Sequence, residues 1–120
     1  MAHDAIAFIR ALGFDQVDLL GFSLGGFLAQ VIALEEPQLV RKVILAGTGP
    51  KERTQDRDKA TSISTLRAQL KAIHAWGRQE PADLSSIQHP VLVANGDQDA
   101  MVPNRNSTDL ARRLPHADWW

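Results

Sequence analysis

Three runs of strand length, VDLL (Val17–Leu20), KVILAG (Lys42–Gly47) and PVLVANG (Pro90–Gly96), alternate with stretches of helical periodicity. KVILAG is apolar without alternation, the pattern of a parallel strand covered on both faces, and PVLVANG repeats it. Ala5, Phe8, Ile9 and Leu12 recur at helical spacing and predict an amphipathic helix over 4–12, stopped by Gly13. LGGFLAQVIALEE reads as a largely buried helix that must end before Pro37. Ile63, Leu66, Leu70 and Ile73 form the stripe of a further helix closed by Gly77, and a last helix near Asn106–Leu114 precedes a fragmentary strand, ADWW. The segment KERTQDRDK (Lys51–Lys59) carries seven charged residues of both signs and reads as a solvated loop or helix start. Strand alternating with helix predicts an α/β fold with a mostly parallel sheet of three to four strands. Right-handed crossovers are then expected to put helices on both faces and every strand's carboxyl end on one edge.

Composition narrows the functions open to such a sheet. The chain has 120 residues, enough for one domain, with 44% hydrophobic and 22% charged residues. A net charge of -1 gives no reason to expect nucleic acid or anionic membranes as partners. There is no cysteine, hence neither a disulfide nor a thiolate metal site. No apolar run approaches the ~20 residues of a membrane span, and no basic segment precedes the apolar residues of MAHDAIAFIRALG. A cytoplasmic protein is expected. No His/Asp/Glu set has metal-ligand spacing, and neither GFSLGGF nor GTGPKE fits a phosphate-binding loop, so no cofactor is expected.

Two of the strand ends carry unusual sequences: Gly21-Phe22-Ser23-Leu24-Gly25-Gly26 and Gly96-Asp97-Gln98-Asp99. A serine at the tip of a sharp strand-to-helix turn takes strained backbone angles and crowds the residues two positions away. Gly21 and Gly25 lack the β-carbon that such crowding forbids, and Gly26 lets the helix lie close to the sheet. The Leu24 N–H, at the helix start, suits a developing oxyanion. The structural alternative is a close-packing glycine turn with an incidental serine. For the aspartates the alternative is turn formation, and Asp97 is the better candidate to cap that loop.

LLGFSLGGFLAQ resembles the nucleophile elbow of the α/β-hydrolase family. VLVANGDQDAMVP is similar to the strand and loop that carry the family's acid, followed by NSTDLARRLP as the next helix. The resemblance covers about residues 1–50 and 84–120, within a single partial domain whose segment 51–83 is a remnant lid or linker. It implies Ser23 as nucleophile, Leu24 N–H as one oxyanion donor and Asp99 as the acid, with a small acyl or ester substrate. A serine hydroxyl needs a histidine base and the base needs a carboxylate, so the three roles belong together. The histidine is the departure from the family. His3 lies on the first helix, His74 flanks the middle one, and His89 and His116 sit at the amino ends of strands. The chain is therefore expected to be an incomplete copy, weak or inactive as a serine esterase. The alternative is a non-catalytic half-domain acting as an interaction module. A sheet beginning at Val17 also exposes an apolar edge, from which self-association is expected.

Overall fold

The computed structural model of the chain describes residues 1–50, Lys71 and 82–120. The expected loop at Lys51–Lys59, the helix with the Ile63–Ile73 stripe and His74 lie outside the described residues. The chain divides into two units, Met1–Pro50 with Asp83–Trp120, and Lys51–Ala82. The first unit carries the sheet.

Glycine and proline end the first two helices where chain geometry requires. Helix α1 (Ala2–Ala11) stops two residues before Gly13, whose φ of 76° is the left-handed conformation that glycine adopts most readily. Strand β1 (Val17–Phe22) leads into helix α2 (Leu24–Glu35), which ends before Pro37. A 3-10 turn at Pro37–Leu39 then feeds strand β2 (Val40–Ala46). A second such turn, Leu84–Ser86, precedes strand β3 (Val91–Ala94), helix α3 (Asn104–Arg113) and strand β4 (Ala117–Trp119). The expected ADWW strand thus forms, extended by hydrogen bonds from the Trp120 amide to the Val93 carbonyl and from the Asn95 amide to the Trp120 carbonyl.

The four strands lie in the order β1-β2-β3-β4, every neighbouring pair parallel. Leu20, Ile44 and Leu92 are in register across β1, β2 and β3, as are Phe22, Ala46 and Ala94. Burial alternates with the pleat: Val43, Leu45, Val91 and Val93 are buried, together with Ala29, Ile32 and Ala33 of α2 and Leu110 of α3. Among the described residues no helix covers the opposite face at β1 and β2. Leu20 is 70% exposed, Phe22 68% and Ile44 37%.

Among the described residues the helices flank one face, where the sequence led us to expect both, and Ile44 at 37% exposure departs from the reading of KVILAG as covered on both sides. The strand order advances in one direction along the chain. Right-handed crossovers through α2 and α3 then drop these two helices on the same side, since helices change sides only where the order reverses. Among the described residues α2 and α3 share one side, joined through Gly49. Its carbonyl accepts from Gln30 of α2, and a β-carbon on it would lie 3.0 Å from Cβ of Asn106 in α3.

The buried row of α1 also differs from the expected stripe. Ala2 and Ile6 are buried, while Phe8 and Leu12 point outward at 64% and 54% exposure. Helix α1 packs on α2, and a helix-on-helix seam holds one narrow row of side chains rather than a broad face. Near the amino ends of β1 and β2, Arg41 donates to Asp18 from Nε and Nη2. Those bonds hold the Asp18 carboxyl below the usual carboxylate range. Both groups face solvent, so the pair adds little to stability. No helix among the described residues is long and apolar enough to cross a membrane.

Candidate active site

Because all four strands are parallel, the loops after β1, β2 and β3 emerge on one edge of the sheet. Ser23 follows β1 directly and Asp99 lies in the loop after β3. The two strands are separated by β2 alone, hence by two strand spacings, about 10 Å.

Ser23 has φ 52° and ψ -116°, and it is the one non-glycine residue with positive φ among the described residues. Such angles cost a residue with a side chain roughly 1–3 kcal/mol and persist only where the surroundings enforce them. Here the enforcement is visible. The Ser23 amide donates to the Ala46 carbonyl at 3.0 Å, and the Ser23 carbonyl accepts from the Gly26 amide at 3.1 Å and from the Thr48 hydroxyl at 2.9 Å. Serine at a helix start ordinarily caps the first turn with its hydroxyl. Ser23 makes no such capping bond to α2, so capping does not explain its presence.

The crowding falls on Gly21 and Gly26. A β-carbon on Gly21 would lie 2.5 Å from the Gly25 carbonyl oxygen and 2.6 Å from Cα of Gly26. One on Gly26 would lie 2.5–2.6 Å from the Thr48 side chain, which is the close helix-to-sheet approach expected there. Gly25 departs from expectation: a β-carbon on it meets nothing within 4 Å among the described residues. In this turn Gly25 contributes the backbone that Gly21 must clear, and its own missing side chain relieves no clash. Leu24 is the first residue of α2. Its amide therefore has no acceptor inside the helix and stands at the positive end of the helix dipole.

In the second loop the cap differs from expectation. Asp99, not Asp97, caps the turn: its Oδ1 accepts from the Met101 and Val102 amides at 2.8 and 2.9 Å. The side chain of Asp97 is exposed, and its backbone carbonyl accepts from Asn104 Nδ2 at 3.2 Å. The choice of Asp99 as the cap follows from direction. A carboxylate reaches amides two and three residues downstream, and from Asp99 those are the amides that turn the chain toward α3. Both bonds use Oδ1, and Oδ2 takes none among the described residues. Asp99→Asn keeps an acceptor at Oδ1 and should leave the melting temperature nearly unchanged. Asp99→Ala strands two amides and should cost about 2 kcal/mol in a urea titration.

No histidine among the described residues stands at this edge. His3 sits on α1 with Nε2 3.4 Å from Glu35. Nε2 of His89 lies 2.8 Å from the Pro37 carbonyl, at the amino end of β3, and His116 is exposed at the amino end of β4. Nor does any cluster of three or more His, Cys, Asp or Glu among the described residues stand together as a metal site.

Sequence reasoning passed over two supports of the edge. Thr48, 2% exposed, braces the serine turn from the end of β2. In GTGPKE the one signal for it is a threonine between two glycines at a strand end, a pattern of close packing. Asn95 closes the acid loop, donating from Nδ2 to the Val102 carbonyl at 2.8 Å and to Asn104 Oδ1 at 2.7 Å.

A parallel α/β sheet with a strained serine turn after its first strand and an acidic loop on the same edge defines the general class. The family model for the alpha/beta hydrolase fold matches residues 1–85, and the chain belongs to that family. It is similar to mouse (Mus musculus) serine hydrolase BPHL, 28% identical over 142 aligned residues that span 94% of this chain and 49% of the mouse protein. A probable alcohol acetyltransferase of Cyberlindnera fabianii is 30% identical over 81 residues, spanning 68% of this chain and 20% of that protein. Among solved structures, an alpha/beta hydrolase fold protein from Chitinophaga pinensis superposes with a TM-score of 0.83 at 32% identity, over 99% of this chain and 61% of that one. The chain thus spans about half the length of the mouse protein.

Proposed function

We propose that the chain carries the nucleophile and acid of a serine hydrolase acting on small acyl or ester substrates. Ser23 Oγ attacks the acyl carbonyl, the Leu24 amide holds the oxyanion, the alcohol leaves, and water releases the acid from the acyl-enzyme. Asp99, through Oδ2, is the carboxylate that orients a histidine base, and two strand spacings leave room for an imidazole between the two side chains. The observation that carries this reading is the backbone of Ser23, held at positive φ with its hydroxyl unused for capping. The mouse relative's name, serine hydrolase, supports it. Among the described residues no histidine stands at this edge, and slow turnover by the chain alone is part of the proposal, since loss of a triad member removes on the order of 10⁴–10⁶ in rate. The cytoplasmic location expected from the sequence belongs to the same proposal.

A fluorophosphonate probe tests the nucleophile directly, because labelling needs one displacement at phosphorus and no turnover. Labelling of wild type that disappears in Ser23→Ala supports the proposal; equal labelling of both, or of neither, overturns it.

A second reading, a non-catalytic interaction module, is favoured by the edge of β1, which pairs with no further strand among the described residues, beside exposed Leu20 and Phe22. Unpaired strand edges flanked by apolar side chains template pairing with another chain. In this reading sedimentation velocity finds a concentration-dependent dimer or larger species, reduced in Leu20→Lys. A monomer at every concentration contradicts it.

A further inference from the structure

We propose that Thr48 is a positioning residue for the Ser23 nucleophile, a latch that keeps the serine turn in its strained state. The inference rests on the serine-hydrolase reading above and adds a residue to it. Ser23 could relax to an ordinary helical φ only by rotating the peptide planes on its two sides. The preceding plane is tied to β2 through the amide bond to the Ala46 carbonyl. The following plane is tied twice. One tie is local, from the Gly26 amide, and would follow α2 if the turn relaxed. The other comes from Thr48, 25 residues away and anchored just beyond the end of β2.

The Thr48 hydroxyl donates to the Ser23 carbonyl at 2.9 Å, and its Cβ and Cγ2 fill the space a Gly26 side chain would need. The one side chain therefore acts in two ways: it pulls the Ser23 carbonyl toward the sheet, and it sets how closely α2 approaches. Its burial, 2% exposed, shields the hydrogen bond from competing water. Gln30 extends the brace, with Nε2 donating to the Gly26 carbonyl at 3.1 Å and the Gly49 carbonyl at 3.0 Å. Gln30 thus ties the Gly26 carbonyl, within α2, to Gly49, the residue after Thr48.

The two functions of Thr48 separate by substitution. Thr48→Val keeps the shape against Gly26 and removes the donor; Thr48→Ser keeps the donor and removes the methyl. The experiment measures the fluorophosphonate labelling rate of the full chain for wild type and both variants, together with thermal melts and the Ser23 backbone chemical shifts of ¹⁵N,¹³C-labelled protein. The expected result is a labelling rate about tenfold lower in folded Thr48→Val, the equivalent of one buried hydrogen bond. Its Ser23 shifts should move toward ordinary helical values, while Thr48→Ser stays within about twofold of wild type and keeps the wild-type shifts. A role in packing alone would lower the melting temperature without changing the reactivity or the Ser23 shifts of the folded protein. Labelling and Ser23 shifts unchanged in folded Thr48→Val overturn the latch. Should no form label, the nucleophile reading fails, and the Ser23 shifts alone decide whether Thr48 holds the turn. If Thr48→Val does not fold, Thr48→Ala, which removes the donor, is read beside Thr48→Ser: relaxed Ser23 shifts in Thr48→Ala with wild-type shifts in Thr48→Ser support the latch, and the same shifts in both overturn it.

Discussion

Gly21→Ala should unfold the chain or leave it barely stable, whereas Gly25→Ala, four residues away, should be tolerated. The added methyl at Gly21 would lie 2.5–2.7 Å from three backbone atoms, the Gly25 oxygen and carbon and Cα of Gly26. None of these can swing aside as the end of a side chain would. Relief requires α2 to retreat from β1, which breaks the approach of Gly26 to Thr48 and the bonds that hold Ser23. Overpacking ordinarily costs about 1–3 kcal/mol where side chains can adjust, and a backbone obstacle belongs at or above the top of that range. A domain of this size has roughly 5–15 kcal/mol in all. At Gly25 a methyl meets nothing among the described residues, and replacing a helical glycine gains up to about 1 kcal/mol. Urea titrations of the two variants check this. A Gly21→Ala midpoint equal to that of Gly25→Ala would show that the turn is looser than its geometry implies.

Ser23→Gly should separate stability from reactivity. Glycine adopts φ 52°, ψ -116° without the penalty a side chain incurs, so the variant recovers part of the roughly 1–3 kcal/mol of strain. Against that, glycine's greater freedom in the unfolded chain costs about 0.5–1 kcal/mol. The net expectation is a melting temperature a few degrees above wild type, with fluorophosphonate labelling abolished. Ser23→Ala keeps the strain and should lose labelling with little stability gained. A Ser23→Gly variant less stable than Ser23→Ala would mean that the serine backbone is not strained, and the case for a turn built around a reactive hydroxyl would weaken with it.

The features legible in the sequence were those set by near neighbours. Gly13 and Pro37 end their helices because φ and the missing N–H act locally. Gly21 announces itself because a serine at a strand-to-helix turn crowds residues two away. Strand order was not legible, and the exposure of Leu20, Phe22 and Ile44 on one face follows from it. The unbroken apolar run Val43–Gly47 looks the same whether one face of a strand is covered or both. Asp97 and Asp99 are near-equivalent in composition, and only the path of the chain toward Asn104 decides which carboxylate meets the Met101 and Val102 amides. Thr48 could not be paired with Ser23 from spacing, since 25 residues and a parallel crossover lie between them.

The central claim is that a strained turn presents the Ser23 hydroxyl as a nucleophile. It is tested most directly by treating the chain with a fluorophosphonate and mapping the adduct by tandem mass spectrometry. The account predicts the modification on Ser23 alone, with Ser85, Ser86 and Ser107 unmodified. An adduct spread across several serines, or one confined to a serine other than Ser23, would contradict it.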